Sequence, residues 1–247
     1  MNVDQYIATL PKNIMSGDDV SLPDKTIHRL LNFAKLKSGE TFCHLGCGSG
    51  YALQIAKQYG AHVCGVDINE SRVQEAGRTL GDDADVRVGD VRWCDIPSSD
   101  VILFWFADPS ITHVMPQRFS KLDDNVRIIT IWGPLPGCLP NSVQFPFVLN
   151  VTPLRSAPDI KSQIQAVFGV SCISYGTAWE YAERYTKALQ PEDAQNDRFL
   201  TILQALTIWY SAYSLGVTCE DNIPESVSTY TTIMSRFFGI DFGHYNP

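Results

Sequence analysis

The chain has 247 residues, of which 45% are hydrophobic, enough for an α/β domain with an elaboration. A net charge of -8 gives no global positive field to draw in nucleic acid or an anionic membrane. No apolar run approaches the length of a membrane span. The first residues lack the charged-then-apolar pattern of a secretory leader, so no signal peptide is expected.

In chain order, the polar lead ends at Pro23-Asp24, a usual helix start. Ile27, Leu30, Leu31 and Ala34 then recur at helical spacing. Thr41 to Leu45 is a short buried strand. The helix opening near Tyr51 closes at Gly60, and 61–67 is a second strand. The next helix takes Asn69 as its cap and Gly81 as its stop. Residues 84–90, 100–106 and 125–133 read as the third, fourth and fifth strands, with a helix over 108–122. Strands alternating with helices of this length predict a parallel sheet covered on both faces. Beyond a Pro-rich turn, 145–154 and 162–170 read as two consecutive strands forming an antiparallel hairpin. From about 174 the texture changes to three aromatic-rich helices, over 177–190, 193–216 and 224–239. The expected division is a sheet domain over 1–171 and a helical extension over 172–247 packed on it. The aromatic end, 236–247, reads as docked rather than free.

The seven cysteines form no CxxC pair and are odd in number. They read as reduced thiols in a cytoplasmic protein, and no metal site is predicted.

Gly46, Gly48 and Gly50 fall between a strand and a helix, where glycine lets the chain turn sharply and a ligand lie against bare backbone. Asp67 ends the second strand 21 residues after Gly46, placed to accept hydrogen bonds from a ribose. A dinucleotide loop, G-x-G-x-x-G, needs its third glycine at position 51, which is Tyr51. The pattern G-x-G-x-G instead suits a nucleoside without pyrophosphate, above all S-adenosylmethionine. Asp90, after the third strand, can accept the adenine amino group, with the Val91 N–H meeting a ring nitrogen. Cys47, Ile68 and Phe104 complete the expected cofactor contacts, and Tyr51 is placed to cover them.

With this loop and both acidic positions in order, residues 20 to 171 resemble class I S-adenosylmethionine-dependent methyltransferases. The similarity is greatest to the small archaeal protein-lysine enzymes. It rests on the run from Leu22 through "FCHLGCGSGYALQIAKQYGAHVCGVDINESRVQEA" and on the segment 100–133. It implies a Rossmann-like seven-stranded sheet and a protein-lysine acceptor; a small-molecule acceptor is the alternative because the helical extension is placed to close the acceptor face, and the acidic balance disfavours a nucleic-acid partner. A catalytically silent adenosyl-binding module is the alternative of another class.

One residue departs from the family. Two places before the first glycine the family usually carries an acid that helps hold the methionine ammonium, and here stands His44. If its imidazole titrates near neutrality, cofactor affinity rises with pH as the charge is lost. On the acceptor side Asp108 beside Pro109 falls short of the D/N-P-P-aromatic motif of some amine methyltransferases and reads as an acceptor-side carboxylate or as a helix cap. Phe104, Trp105 and Phe106 alternate along the fourth strand and read as core, with one or two of them forming an aromatic wall for a methylated amine, and Trp132 carries the same two readings. His113 reads as a surface histidine.

Overall fold

The computed structural model describes residues 22–106, 108–189 and 198–239. The polar lead and the last eight residues of the aromatic tail lie outside them, while Phe237, just before, is 73% exposed.

A seven-stranded sheet forms the body. Its strands are β1 (Thr41–Leu45), β2 (His62–Asp67), β3 (Asp85–Val88), β4 (Val101–Phe104), β5 (Arg127–Ile131), β7 (Ser142–Gln144) and β8 (Phe147–Val151), in the order β3-β2-β1-β4-β5-β8-β7. β1 to β5 are parallel, and β8 runs antiparallel to both β5 and β7. β6 (Cys138–Leu139) and β9 (Arg155–Ser156) pair separately. The chain progression reverses between β1 and β4, and in open α/β sheets a ligand crevice lies beyond the carboxyl ends of the strands at that point.

β4 is buried along its whole length, as a strand covered on both faces must be. One face carries α1 (Asp24–Phe33) and α2 (Tyr51–Gln58), packed on Phe42, Val63, Val101 and Ile129. On the other face Met115 and Phe119 of α5 (Met115–Phe119) meet Cys43, Leu45, Ile102 and Phe104. The helix expected over 108–122 is therefore broken, with α4 (Pro109–Thr112) ending at His113, which is exposed as expected. α3 (Glu70–Leu80) starts as predicted, the Asn69 side chain accepting from the Arg72 N–H, and stops at Gly81.

Residues 162–170 are not a strand. They belong to α6 (Ile160–Phe168), whose start is fixed by Asp159 accepting from the Ser162 N–H at 2.7 Å and whose end by Gly169 in a left-handed conformation. Ile160, Ile164, Val167 and Phe168 recur at three and four, the helical period, and that period wins over their β propensity. The hairpin partner of β8 is instead the short strand β7 before it.

The extension consists of α7 (Tyr175–Leu189), α8 (Arg198–Ser214) and α9 (Glu225–Phe238). It has its own apolar cluster around Trp209, Leu206 and Val227. It meets the sheet through aromatic rings: Trp132 lies 4.4 Å from Tyr185, and Phe145 packs edge-on to Tyr181 at 4.7 Å.

The expectation of seven reduced thiols is overturned. Cys172 and Cys219 form a disulfide, tying the loop after α6 to the α8–α9 connection, while the other five cysteines are free. Backbone hydrogen bonds already join these loops, Ile173 N–H to Val217 and Cys219 N–H to Ile173, so the sulfurs are brought together by local pairing. For a sequence separation of 47, chain-entropy arguments give at most about 4 kcal/mol of stabilisation. Reductant is expected to lower the urea midpoint of the wild type and leave Cys219→Ser unchanged. Equal midpoints with and without reductant would contradict this.

Candidate active site

The glycine loop is knotted onto β2. The Gly46 and Cys47 N–H groups both donate to the Val66 carbonyl, at 2.7 and 3.1 Å. Asp67, 9% exposed, then uses both carboxylate oxygens on main chain: Oδ2 accepts from Gly48 N–H and Oδ1 from Asn69 N–H, each at 2.8 Å. Each oxygen keeps a further lone pair for a ligand hydroxyl. The loop glycines have positive φ, and at two of them space as well as φ forbids a side chain. A Cβ on Gly46 would stand 2.7 Å from Phe106 Cζ, and one on Gly50 would stand 3.0 Å from both Ala76 Cβ and Leu80 Cδ1. On Gly48 it would meet nothing within 4 Å, because this residue borders open space.

That space is a cleft of about 640 Å³ beyond the carboxyl ends of β1, β2 and β4. Of the residues predicted from sequence, His44, Gly46, Cys47, Gly48, Tyr51, Asp67, Ile68, Asp90, Val91 and Trp105 line it together. Four others do not. Gly50 begins α2 and packs on α3. The Phe104 ring is buried edge-on to Phe119 at 5.5 Å. Asp108 caps α4, accepting from Ser110 N–H at 2.7 Å, which is the cap reading. Trp132 is engaged with Tyr185 of the extension, which is the core reading.

Phe106, read from sequence as core or aromatic wall, lines the cleft, whereas sequence reasoning missed Ser49, Arg72, Glu75, Ile111 and Arg92 in its wall. Arg92 was legible only as an Asp-x-Arg pattern. Its Nη2 lies 2.7 Å from Asp90 Oδ2 and its Nε 3.0 Å from Oδ1, and this guanidinium is the main reason the Asp90 carboxyl is held below its ordinary range. The Arg92 N–H also donates to Asp90 Oδ1 at 2.9 Å. Gly65 is the other missed position: a Cβ there would meet Cys47 Sγ at 2.8 Å, so this glycine makes room for the loop.

Burial, and then the Asp67 charge, push the Cys47 thiol up to about 12, so it is no nucleophile at neutral pH. Tyr51 donates its hydroxyl to Asp24, which raises its phenol above the ordinary range.

Burial lowers the His44 imidazole to about 4, which overturns the premise that it titrates near neutrality. The ring is neutral between pH 5.5 and 8, and its contribution to cofactor affinity is flat there. The consequence lies on the acid side. Between pH 6.5 and 4 the unfolded chain protonates this histidine and the folded chain does not, so stability falls as pH drops through that window, by up to about 1.4 kcal/mol per unit. Above pH 6.5 both states are neutral and the effect is absent. Urea unfolding at pH 7 and 4.5 is expected to show a smaller acid-side loss for His44→Asn than for the wild type. Parallel losses would contradict the depressed value.

Residues 42–127 match the family model of a methyltransferase domain. No curated protein matches the chain. Among solved structures, an RNA methyltransferase from Salinibacter ruber in complex with S-adenosyl-L-homocysteine is 21% identical, with a TM-score of 0.50 covering 57% of this chain and 99% of that one. Magnesium protoporphyrin IX methyltransferase from Synechocystis, with bound cofactor, is 22% identical with a TM-score of 0.38, covering 45% of this chain and 59% of its own. At these identities the likeness is one of fold. Strand order and switch-point cleft agree with that likeness: the chain has a Rossmann-like fold, and residues 42–127 within it match the methyltransferase-domain model.

Proposed function

We propose that the protein is an S-adenosylmethionine-dependent methyltransferase and that its acceptor is an amine, most simply that of a protein lysine. The observation that carries the cofactor reading is Asp67. Its carboxylate fixes the glycine loop with one lone-pair set and faces the cleft with the other. The residues present fit the group: Asp67 for the ribose, Asp90 and the Val91 N–H for the adenine, and bare main chain at Gly46 and Gly48 for close approach. When bound, the cofactor's sulfonium supplies a methyl for in-line displacement by the acceptor. What this chain does is hold, orient and exclude water, and positioning of that kind is worth up to about 7–11 kcal/mol. Trp105 and Phe106 supply aromatic faces for a cationic amine at the cleft wall.

A small-molecule acceptor is the second reading. It is favoured by the extension, whose Tyr185 shares an apolar cluster with Trp105 and has its phenol raised above its ordinary range by burial. The likeness to an RNA enzyme is one of fold, so nucleic acid enters as an outcome of the test. The full chain is incubated with methyl-labelled cofactor and lysate, and products are separated into protein, RNA and small molecules. Label in protein supports the lysine reading, label in small molecules the second, and label in RNA overturns both. Cofactor binding without any transfer would instead support the silent module.

A further inference from the structure

His44 follows Phe42 on the α1–α2 side of β1, opposite Cys43 and Leu45, and reaches the cleft wall. Its two ring nitrogens have different surroundings. Nδ1 is sealed from solvent and meets no hydrogen-bond partner among the described residues. Nε2 carries no hydrogen bond among the described residues and, unlike Nδ1, is not sealed, so it is the nitrogen that the cleft can reach. The ring is neutral, hence one nitrogen bears the proton and the other does not. The neutral histidine side chain intrinsically favours the Nε2–H tautomer, and the sealed Nδ1 has no acceptor beside it that would reverse this preference. The proton therefore sits on Nε2, and the cleft is offered a donor where the family offers an acid.

We infer that His44 donates its Nε2–H to the carboxylate of the cofactor's amino-acid end, so that this site recognises the carboxylate rather than the ammonium. The inference rests on the S-adenosylmethionine reading of the cleft. It reverses the polarity of that subsite: a carboxylate at position 44 would attract the ammonium and repel the cofactor's own carboxylate, while a neutral donor does the opposite.

The test is calorimetry on the full chain at pH 7.5 with four ligands: S-adenosylhomocysteine, its decarboxylated analogue, its deaminated analogue and 5′-methylthioadenosine. Loss of the carboxylate is expected to weaken binding by about 10- to 100-fold, the range for a hydrogen bond to a charged group, and loss of the amine by less than about threefold. His44→Asp is expected to invert that order, and His44→Asn, which keeps an N–H donor, to preserve it. A larger penalty for losing the amine in the wild type would overturn the inference. In case the variants fold poorly, the ring ¹⁵N shifts of the wild type read the tautomer directly: a proton on Nε2 supports the assignment and a proton on Nδ1 sinks it. The two readings separate cleanly. Methylthioadenosine binding with the wrong analogue order rejects the His44 role alone, and no binding by any of the four ligands rejects the adenosyl cleft together with it.

Discussion

Asp67→Ala is expected to lower affinity for S-adenosylhomocysteine at least about 100-fold, the largest loss from any single substitution in the cleft. Two effects combine. The variant removes the acceptors proposed for the ribose hydroxyls, worth roughly 1.5–3 kcal/mol each as charged hydrogen bonds. It also frees the Gly48 and Asn69 N–H groups, which donate to this carboxylate at 2.8 Å, so the loop loses its fastening to the end of β2. A stability loss of about 1–2 kcal/mol accompanies it, because two part-buried main-chain donors lose this partner. Asp67→Asn keeps one oxygen and should fall between. Calorimetry and urea unfolding on the same preparations separate the two effects. Unchanged affinity in Asp67→Ala would show that the ligand does not reach this carboxylate.

The second large effect is a contrast between two glycines two residues apart. Gly50→Ala is expected to cost about 2–4 kcal/mol of stability: its φ is +83°, and the new methyl would stand 3.0 Å from Ala76 Cβ and from Leu80 Cδ1. Gly48→Ala is expected to cost only about 1 kcal/mol, since its φ of +53° is near the left-handed basin and its methyl meets no protein atom within 4 Å. That methyl would occupy space where a ligand lies against bare backbone, so cofactor affinity should drop at least about tenfold. Thermal melts with and without S-adenosylhomocysteine measure both. Swapped results, with Gly48→Ala unstable and Gly50→Ala weak in binding only, would mean that the loop's open side is not the ligand side.

The readable parts of the fold were those governed by local rules. β1 occupies Thr41–Leu45 as the apolar run before the glycines indicated, and α3 runs between its Asn69 cap and Gly81. The cofactor loop and the acids at 67 and 90 were readable because their chemistry needs particular residue types at strand ends. Tertiary choices were not. Whether Trp132 faced a ligand or the core depended on where Tyr185 lands, 53 positions later in the chain. Cys172 and Cys219 carry no spacing signature, since their meeting follows from two loops pairing by backbone hydrogen bonds. β7 is three residues long with Ser142 and Gln144 exposed, too short and polar to stand out, and 162–170 was misread because β-branched and aromatic residues outweighed the helical period. At His44 the residue type was visible but its environment was not. Burial decides its charge, and that burial is set by how the sheet and its helices pack.

The central claim is that bare main chain at 46–48, with carboxylates at 67 and 90, grips an adenosine group in the cleft. A backbone amide NMR titration of the wild-type chain with S-adenosylhomocysteine tests it most directly. Saturable shifts concentrated on Gly46, Gly48, Asn69 and Val91, tracking one binding isotherm, are the predicted result. Spectra unchanged at those amides at millimolar ligand, or shifts confined to residues remote from them, would contradict it.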